Sequence, residues 1–279
     1  MSRRSQRKKR KSPFYSILLF MIGLGLLTFP LVSQTIYFFA SSEDINQFQH
    51  TASGLKEEEI NRRMELARGY NETVTNKDLQ DPYTDKQQAG RREYARMLEV
   101  REQIGYVDIP KINAKLPIYA GTSEAVLQKG VGHLEGTSLP IGGVGTHAVL
   151  TAHRGLPTAR LFTDLPELKK GDIFKVTNMK ETLTYRVERI KVVEPDEISE
   201  VALDKDKDYV TLLTCTPYMI NSHRLLVRGV RIPNDEITKE DEKGSRSFHV
   251  PWTLWIWGGL TLVIILGFVV YIFKILKSH

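Results

Sequence analysis

The stretch Tyr209-Val210-Thr211-Leu212-Leu213-Thr214-Cys215-Thr216-Pro217 decides the reading of this 279-residue chain. Its β-branched and aliphatic residues predict a short strand. That strand ends on the only cysteine of the sequence, and Pro217 closes it. Proline has no amide hydrogen to give to a ladder, so a central strand stops there. The next strand candidate, residues 224–232, follows a loop at 216–223. Paired as an antiparallel hairpin, the two strands set Cys215 across from Arg224, with Cβ atoms about 5 Å apart. A guanidinium at that range favours thiolate and stabilises an oxyanion. Strand ends beside loops are where reactive groups are usually presented. The bland alternative is a thiol packed as a small hydrophobe beside an ordinary surface cation. Leu225-Leu226-Val227, directly after Arg224, reads as core and weakens that alternative.

Working outward, residues 104–119 hold β-rich runs broken by Pro110 and Pro117. Further strands are predicted at 146–152, 172–178 and 183–193, with short helices at 124–128 and 158–164. Many short strands separated by Gly, Pro, Asn and Asp turns predict a mainly β fold, a sandwich or a closed barrel, over 104–233. Residues 41–103 differ: they are polar and helix-prone. Ile60, Met64 and Ala67 share a helical spacing, so one face is expected to dock. Within this segment Asp81-Pro82-Tyr83 lies in a loop at about 78–85, because Pro82 forces an extended or turn conformation on Asp81.

A cysteine nucleophile needs a proton partner. The chain has seven histidines. His279 is terminal, and His50 and His249 flank apolar segments. His153 follows the apolar run Ala148-Val149-Leu150-Thr151-Ala152 and, like Cys215, sits where a strand gives way to a loop. His147 reads as a strand-start residue and His133 as a loop residue. His223, next to Arg224, is the best decoy.

Charge and hydropathy place the chain at a membrane. The formal net charge is +6, yet residues 1–12 carry seven basic residues and no acid, so everything after Ser12 sums to −1. The basic balance belongs to a tail (1–13), not to a nucleic-acid-binding face, and no nucleic-acid partner is expected. Residues 14–40 and 252–273 carry no charge, and about 20 apolar residues cross a bilayer. Two transmembrane helices are predicted. The alternative for the first is a signal peptide, but its apolar stretch exceeds a signal's ~7–15 residues. Basic residues flank the chain-terminal end of each segment: the tail before the first, Lys274 and Lys277 (274–279) after the second. Both termini are therefore predicted cytoplasmic and residues 41–250 external, with 234–251 as a juxtamembrane linker. Trp252, Trp255 and Trp257 fall where an interfacial aromatic belt belongs. A solitary cysteine in an external domain has no disulfide partner within the chain.

Three motifs in order carry a family resemblance. Thr211-Leu212-Leu213-Thr214-Cys215 matches the TLxTC signature of sortases, the membrane-anchored cysteine transpeptidases of Gram-positive cell surfaces. Thr151-Ala152-His153-Arg154 resembles their catalytic-histidine segment, and Asn221-Ser222-His223-Arg224-Leu225-Leu226-Val227-Arg228 their catalytic-arginine strand. The similarity spans about 104–232. It implies a closed sortase-type β-barrel with Cys215 as nucleophile, His153 as general acid/base and Arg224 as oxyanion stabiliser. The C-terminal apolar helix and Asp81-Pro82-Tyr83 resemble one subgroup, the class C or pilin-polymerising sortases, where an Asp-Pro-aromatic tripeptide forms a lid. Many members carry Phe or Trp where Tyr83 stands. The resemblance implies cleavage of an LPxTG-like sorting signal between Thr and Gly, and transfer to a Lys amine of a pilin subunit. Alternatives are a housekeeping-type wall-anchoring sortase and a non-enzymatic membrane-tethered scaffold. An L,D-transpeptidase expects His-Gly before its cysteine, where Thr214 stands, and a papain-like protease expects Cys before His. The chemistry implied needs no cofactor and no metal. Asp204, Asp206 and Asp208 alternate with lysines and read as a solvated edge.

Overall fold

The computed structural model describes residues 13–75, 95–238 and 252–277. The chain forms two compact units, residues 36–248 and residues 1–35 with 249–279. Among the described residues the larger contains eight strands: β1 (Gln103–Ile109), β2 (Ala114–Ala120), β3 (Val131–His133), β4 (Thr146–Thr151), β5 (Ile173–Thr177), β6 (Thr182–Val193), β7 (Asp208–Thr216) and β8 (His223–Ile232). They close into a barrel in the order β1-β2-β3-β4-β7-β8-β6-β5, with β5 returning to β1. Closure removes the edges that an open sheet exposes. The pairs β2–β3 and β4–β7 are parallel, and the rest antiparallel.

β7 is buried along nearly its whole length, which is why its sequence is an almost unbroken apolar run. Val210 and Leu212 point to the main core with Leu225 and Val227 of β8. Leu213 faces the other way and joins Leu134, Val149, Val193, Val201 and Leu226 in a second cluster. The segment between β6 and β7 supplies Val201 and so covers part of that outer face. In the main core Phe174 stacks on Tyr185 at 5.6 Å between centroids. A Cβ on Gly229 would meet the Phe174 ring at 2.6 Å, so the absent side chain makes room for the stack.

Helix α1 (Pro13–Ser53) and helix α2 (Glu57–Thr73) precede the barrel. Ile45, Phe48 and Ala52 of α1 and Met64 and Ala67 of α2 join the main core, with Ile60 packed against it. The spacing of Ile60, Met64 and Ala67 anticipates this face. A short helix α3 (Glu124–Lys129) leads into β3. In the smaller unit α4 (Trp252–Lys277) is apolar, and Phe268 stacks on Phe20 of α1 at 3.7 Å. By length and composition α1 holds a candidate membrane span within Ile17–Ser53, and α4 a shorter apolar stretch at Gly258–Lys274.

Several local expectations need correction. Helix α1 continues past residue 40 to Ser53, and its second half packs Ile45, Phe48 and Ala52 into the main core. Pro117 does not break a strand: it sits inside β2 opposite Tyr106. Residues 158–164 form turns rather than a helix, with a short 3₁₀ turn following at Leu165–Glu167. His133 is not a loop residue but the end of β3, fully buried. Asp208 is not at a solvated edge: its carboxylate accepts from Gly143 N at 2.9 Å and from Tyr185 Oη at 3.2 Å.

Candidate active site

The hairpin register places Cys215 directly opposite Arg224, and Thr214 opposite Leu225. Facing residues of an antiparallel pair share one side of the sheet. Cys215 and Arg224 therefore share a side with Leu213 and Leu226, the side of the second, outer apolar cluster. Both are largely covered, at 7% and 8% exposure. The Arg224 guanidinium is held by the connecting loop: Nη1 donates to Asn221 O at 3.0 Å and to His223 O at 3.2 Å. That loop is itself shaped by Met219 and Asn221 at positive φ and by the Ile220 and Asn221 amides on Pro217 O.

β4 brings in the histidine. It lies parallel to β7, with Val149 beside Thr211 and Thr151 beside Leu213. The register ends at Thr151, two residues before His153, as it does at Leu213, two residues before Cys215. Two hydrogen bonds tie the strand ends beyond it. Ala152 N donates to Leu213 O at 3.2 Å, and Thr214 Oγ1 donates to Ala152 O at 2.7 Å. The hydroxyl of Thr214, a polar residue inside an apolar strand, is thus one of the two ties between the strand ends. His153 is 20% exposed, and its Nε2 lies 3.3 Å from Glu124 Oε2.

The residues after His153 are strapped to those after Cys215. Arg154 Nη1 donates to Thr216 Oγ1 at 2.8 Å, and its guanidinium lies over the Tyr218 ring at 5.9 Å. Arg154 Nε also donates to Thr163 O at 3.3 Å. Gly155 follows at φ +92°, where a Cβ would meet the Tyr218 ring at 2.8 Å, so only glycine fits this turn without strain. Arg154 and Glu124 are the residues that sequence reasoning passed over as site candidates. Arg154 adjoins the histidine motif, but its partner Thr216 is 62 residues away in the chain.

Three further histidines have contacts of their own. His147 Nε2 pairs with Thr211 Oγ1 at 2.7 Å and Nδ1 with Ala202 O at 2.9 Å. His133 Nε2 pairs with Ser138 O at 2.7 Å. Burial pushes both imidazoles down to about 4. His223 lies 3.1 Å from Glu194 at the start of β8. Farther from Cys215 a shallow depression is lined by Arg189, Lys191, Glu200, Thr211, Leu226 and Arg228. Its cations are matched by Glu188, Glu197 and Glu200. Among the described residues no group of three or more His, Cys, Asp or Glu is placed to hold a metal ion. Asp81, Pro82 and Tyr83 lie outside the described residues.

The end of the barrel where Cys215 faces Arg224 thus also receives the segment that follows β4, with its histidine. The Sortase domain family model matches residues 107–232, and this chain belongs to the sortase family of cysteine transpeptidases. Solved structures similar to it are sortase C enzymes of streptococci. Group B Streptococcus Pilus Island 1 Sortase C2 is 66% identical, over 64% of this chain and 100% of that one, with a TM-score of 0.61. Sortase C-1 from Streptococcus pneumoniae is 55% identical, over 68% of this chain and 98% of that one, with a TM-score of 0.67. Among curated proteins, Sortase D of Bacillus subtilis is 33% identical over 137 residues, 48% of this chain and 66% of that protein.

Proposed function

We propose that this chain is a membrane-anchored, pilin-polymerising sortase in which Cys215, His153 and Arg224 carry the reaction. The observation that supports this most is the shared rim: Cys215 opposite Arg224, and the His153 segment tied to it through Thr214. The thiolate of Cys215 attacks the Thr carbonyl carbon of an LPxTG-like signal. Arg224 donates to the oxygen as negative charge develops there, a contribution of about 3 kcal/mol for one such donor. The C–N bond to Gly breaks, the departing amine takes a proton from His153, and a thioester remains. A pilin Lys amine then attacks the thioester and gives its proton to His153. The C–S bond breaks, which restores the thiolate and leaves an isopeptide bond.

The membrane arrangement belongs to the same proposal. α1 and α4 both span the bilayer, both termini are cytoplasmic, and the barrel works outside. The segment bearing Asp81, Pro82 and Tyr83 serves as a lid, with Asp81 pairing to Arg224 and Tyr83 lying by the sulfur, a contact of ~0.3–1.5 kcal/mol. Support comes from the subgroup resemblance and from sortase C neighbours, one of them named for a pilus island. Asp81→Ala should raise the rate at which a small thiol reagent labels Cys215; an unchanged rate removes the lid.

The full-length chain in nanodiscs, mixed with an LPxTG-type peptide and a lysine amine acceptor, tests the activity. Scission between Thr and Gly with an isopeptide product is expected. Scission at another bond, or none with any signal of this type, contradicts the proposal.

A further inference from the structure

Arg154, directly after His153, holds two segments of the rim at once. On one side its Nε donates to Thr163 O at 3.3 Å, and the Gly155 amide donates to Thr163 Oγ1 at 3.2 Å. The Phe162 amide donates to His153 O at 3.2 Å, and Phe162 is buried in the main core. The turn that carries Arg154 is therefore fixed to the barrel. On the other side its Nη1 donates to Thr216 Oγ1 at 2.8 Å, and the guanidinium lies 5.9 Å over the Tyr218 ring, within cation–π range. These partners are two threonines and a ring, not the carboxylate of an ordinary surface pair. The loop that leaves Cys215 has little packing at its tip, where Tyr218, Met219 and Ile220 are all exposed. The Ile220 and Asn221 amides turn it back on Pro217 O. Asn221 O and His223 O then accept from Arg224 Nη1 at 3.0 and 3.2 Å. Arg154 holds the start of this loop, and Arg224 rests on its end.

We propose that Arg154 is a positioning residue that sets the Arg224 guanidinium through the loop between β7 and β8. This rests on the reading of Arg224 above and adds the group that aims it. A donor stabilises an oxyanion when it lies about 2.7–3.1 Å from the oxygen, and misplacement by about 1 Å costs as much as about 10²-fold. Arg154 suits the task because its planar fork points N–H groups in fixed, diverging directions, one to Thr163 O and one to Thr216 Oγ1. An ammonium in its place is a point charge on a flexible stem. Without the fork the start of the loop is released, and the carbonyls of Asn221 and His223 that seat Arg224 move with it. Negative charge reaches the oxygen only as the thiolate attacks, so the loss falls on kcat and not on KM. Two other roles make different demands. A through-space effect on the thiolate needs only a cation at this place, and a purely structural role shows in the melting temperature.

The test is a pair of double-mutant cycles on the full-length chain in nanodiscs, with the peptide Leu-Pro-Glu-Thr-Gly and a lysine amine acceptor. Arg154→Ala should lower kcat about tenfold at a KM within about twofold, with little change in melting temperature. Thr216→Val removes only the accepting hydroxyl and should lower kcat about fivefold; with Arg154→Ala added, the loss should stay at about tenfold rather than reach about fiftyfold. On an Arg224→Ala background either change should cost less than about twofold, because the group it aims is gone. Arg154→Lys keeps the charge, loses the fork, and should fall about fivefold. Losses that multiply in full with Arg224→Ala overturn the proposal. So does a wild-type kcat in Arg154→Lys or in Thr216→Val. An Arg224→Ala chain that cleaves at the wild-type rate overturns the underlying reading of Arg224. A crippled Arg224→Ala chain beside a fully active Arg154→Ala chain overturns this proposal alone.

Discussion

The two ends of the β4–β7–β8 ladder use the same residue types to opposite effect. At the starting end of β4 and β7, His147 has both ring nitrogens bonded inside the fold, and Asp208 is bound by Gly143 and Tyr185. At the other end, Cys215 faces Arg224, and His153 lies two residues past the end of β4. A histidine in the first setting is a neutral strut. In the second its Nε2 lies 3.3 Å from the exposed carboxylate of Glu124. The difference lies in burial and in what each end supplies, since His147 is the second residue of the six-residue strand β4 and His153 lies two residues past its end.

Substitutions at the two ends should therefore separate activity from stability. Cys215→Ala has the largest expected effect: peptide cleavage is lost altogether while the melting temperature hardly moves. His153→Ala follows, with a loss of about 10²–10⁴ in kcat, and Arg224→Ala, with about 10²–10³. Melting curves and kinetics on the same samples check all three. His147→Ala should do the reverse. It leaves Thr211 Oγ1 and Ala202 O without the ring, costs about 2–4 kcal/mol of stability, and keeps kcat per folded molecule within about twofold. A His147→Ala chain that folds normally but is inactive breaks the comparison.

The pH response sharpens it. Burial holds His133 and His147 at about 4, below the usual 6.5 of an unfolded chain. Protons therefore bind the unfolded state preferentially. The stability these rings contribute is full above pH 6.5 and is lost as pH falls toward 4, by up to about 3 kcal/mol each. Asp108 and Asp208, whose carboxyls burial pushes up, act in the opposite sense. Denaturant melts from pH 7 to 4.5 should show a net fall that shrinks in His147→Ala. The smallest effect is expected at Arg154→Ala, which removes the strap to Thr216: about a tenfold loss in kcat with little change in melting temperature.

Much of this was legible in the sequence, for physical reasons. Strands buried on both sides are nearly unbroken apolar runs, so β4 and β7 are plain, Leu225-Leu226-Val227 marks β8, and a lone cysteine closed by Pro217 marks a strand end. Pairing β7 with β8 as a hairpin was enough to oppose Cys215 and Arg224, since antiparallel register follows from the loop. The parallel pairing of β4 with β7 was not legible: it joins segments about 60 residues apart, and past its ladder the strand ends are tied by Ala152 N to Leu213 O and by the Thr214 hydroxyl to Ala152 O. β3 is three residues long and too short for any periodicity, which is why His133 reads as loop. Asp208 looks like its solvated neighbours Asp204 and Asp206 because its partners, Gly143 and Tyr185, are distant in the chain. Glu124 shows only as a helix start, since nothing local indicates that its carboxylate meets His153.

The most direct test of the central claim is the intact mass of the full-length chain, acid-quenched during turnover of an LPxTG-type peptide. The account predicts one added acyl mass on the peptide containing Cys215, released by hydroxylamine, accumulating in wild type and absent in Cys215→Ala. Cleavage of the signal with no mass added at Cys215, or with Cys215→Ala still turning over, would contradict it.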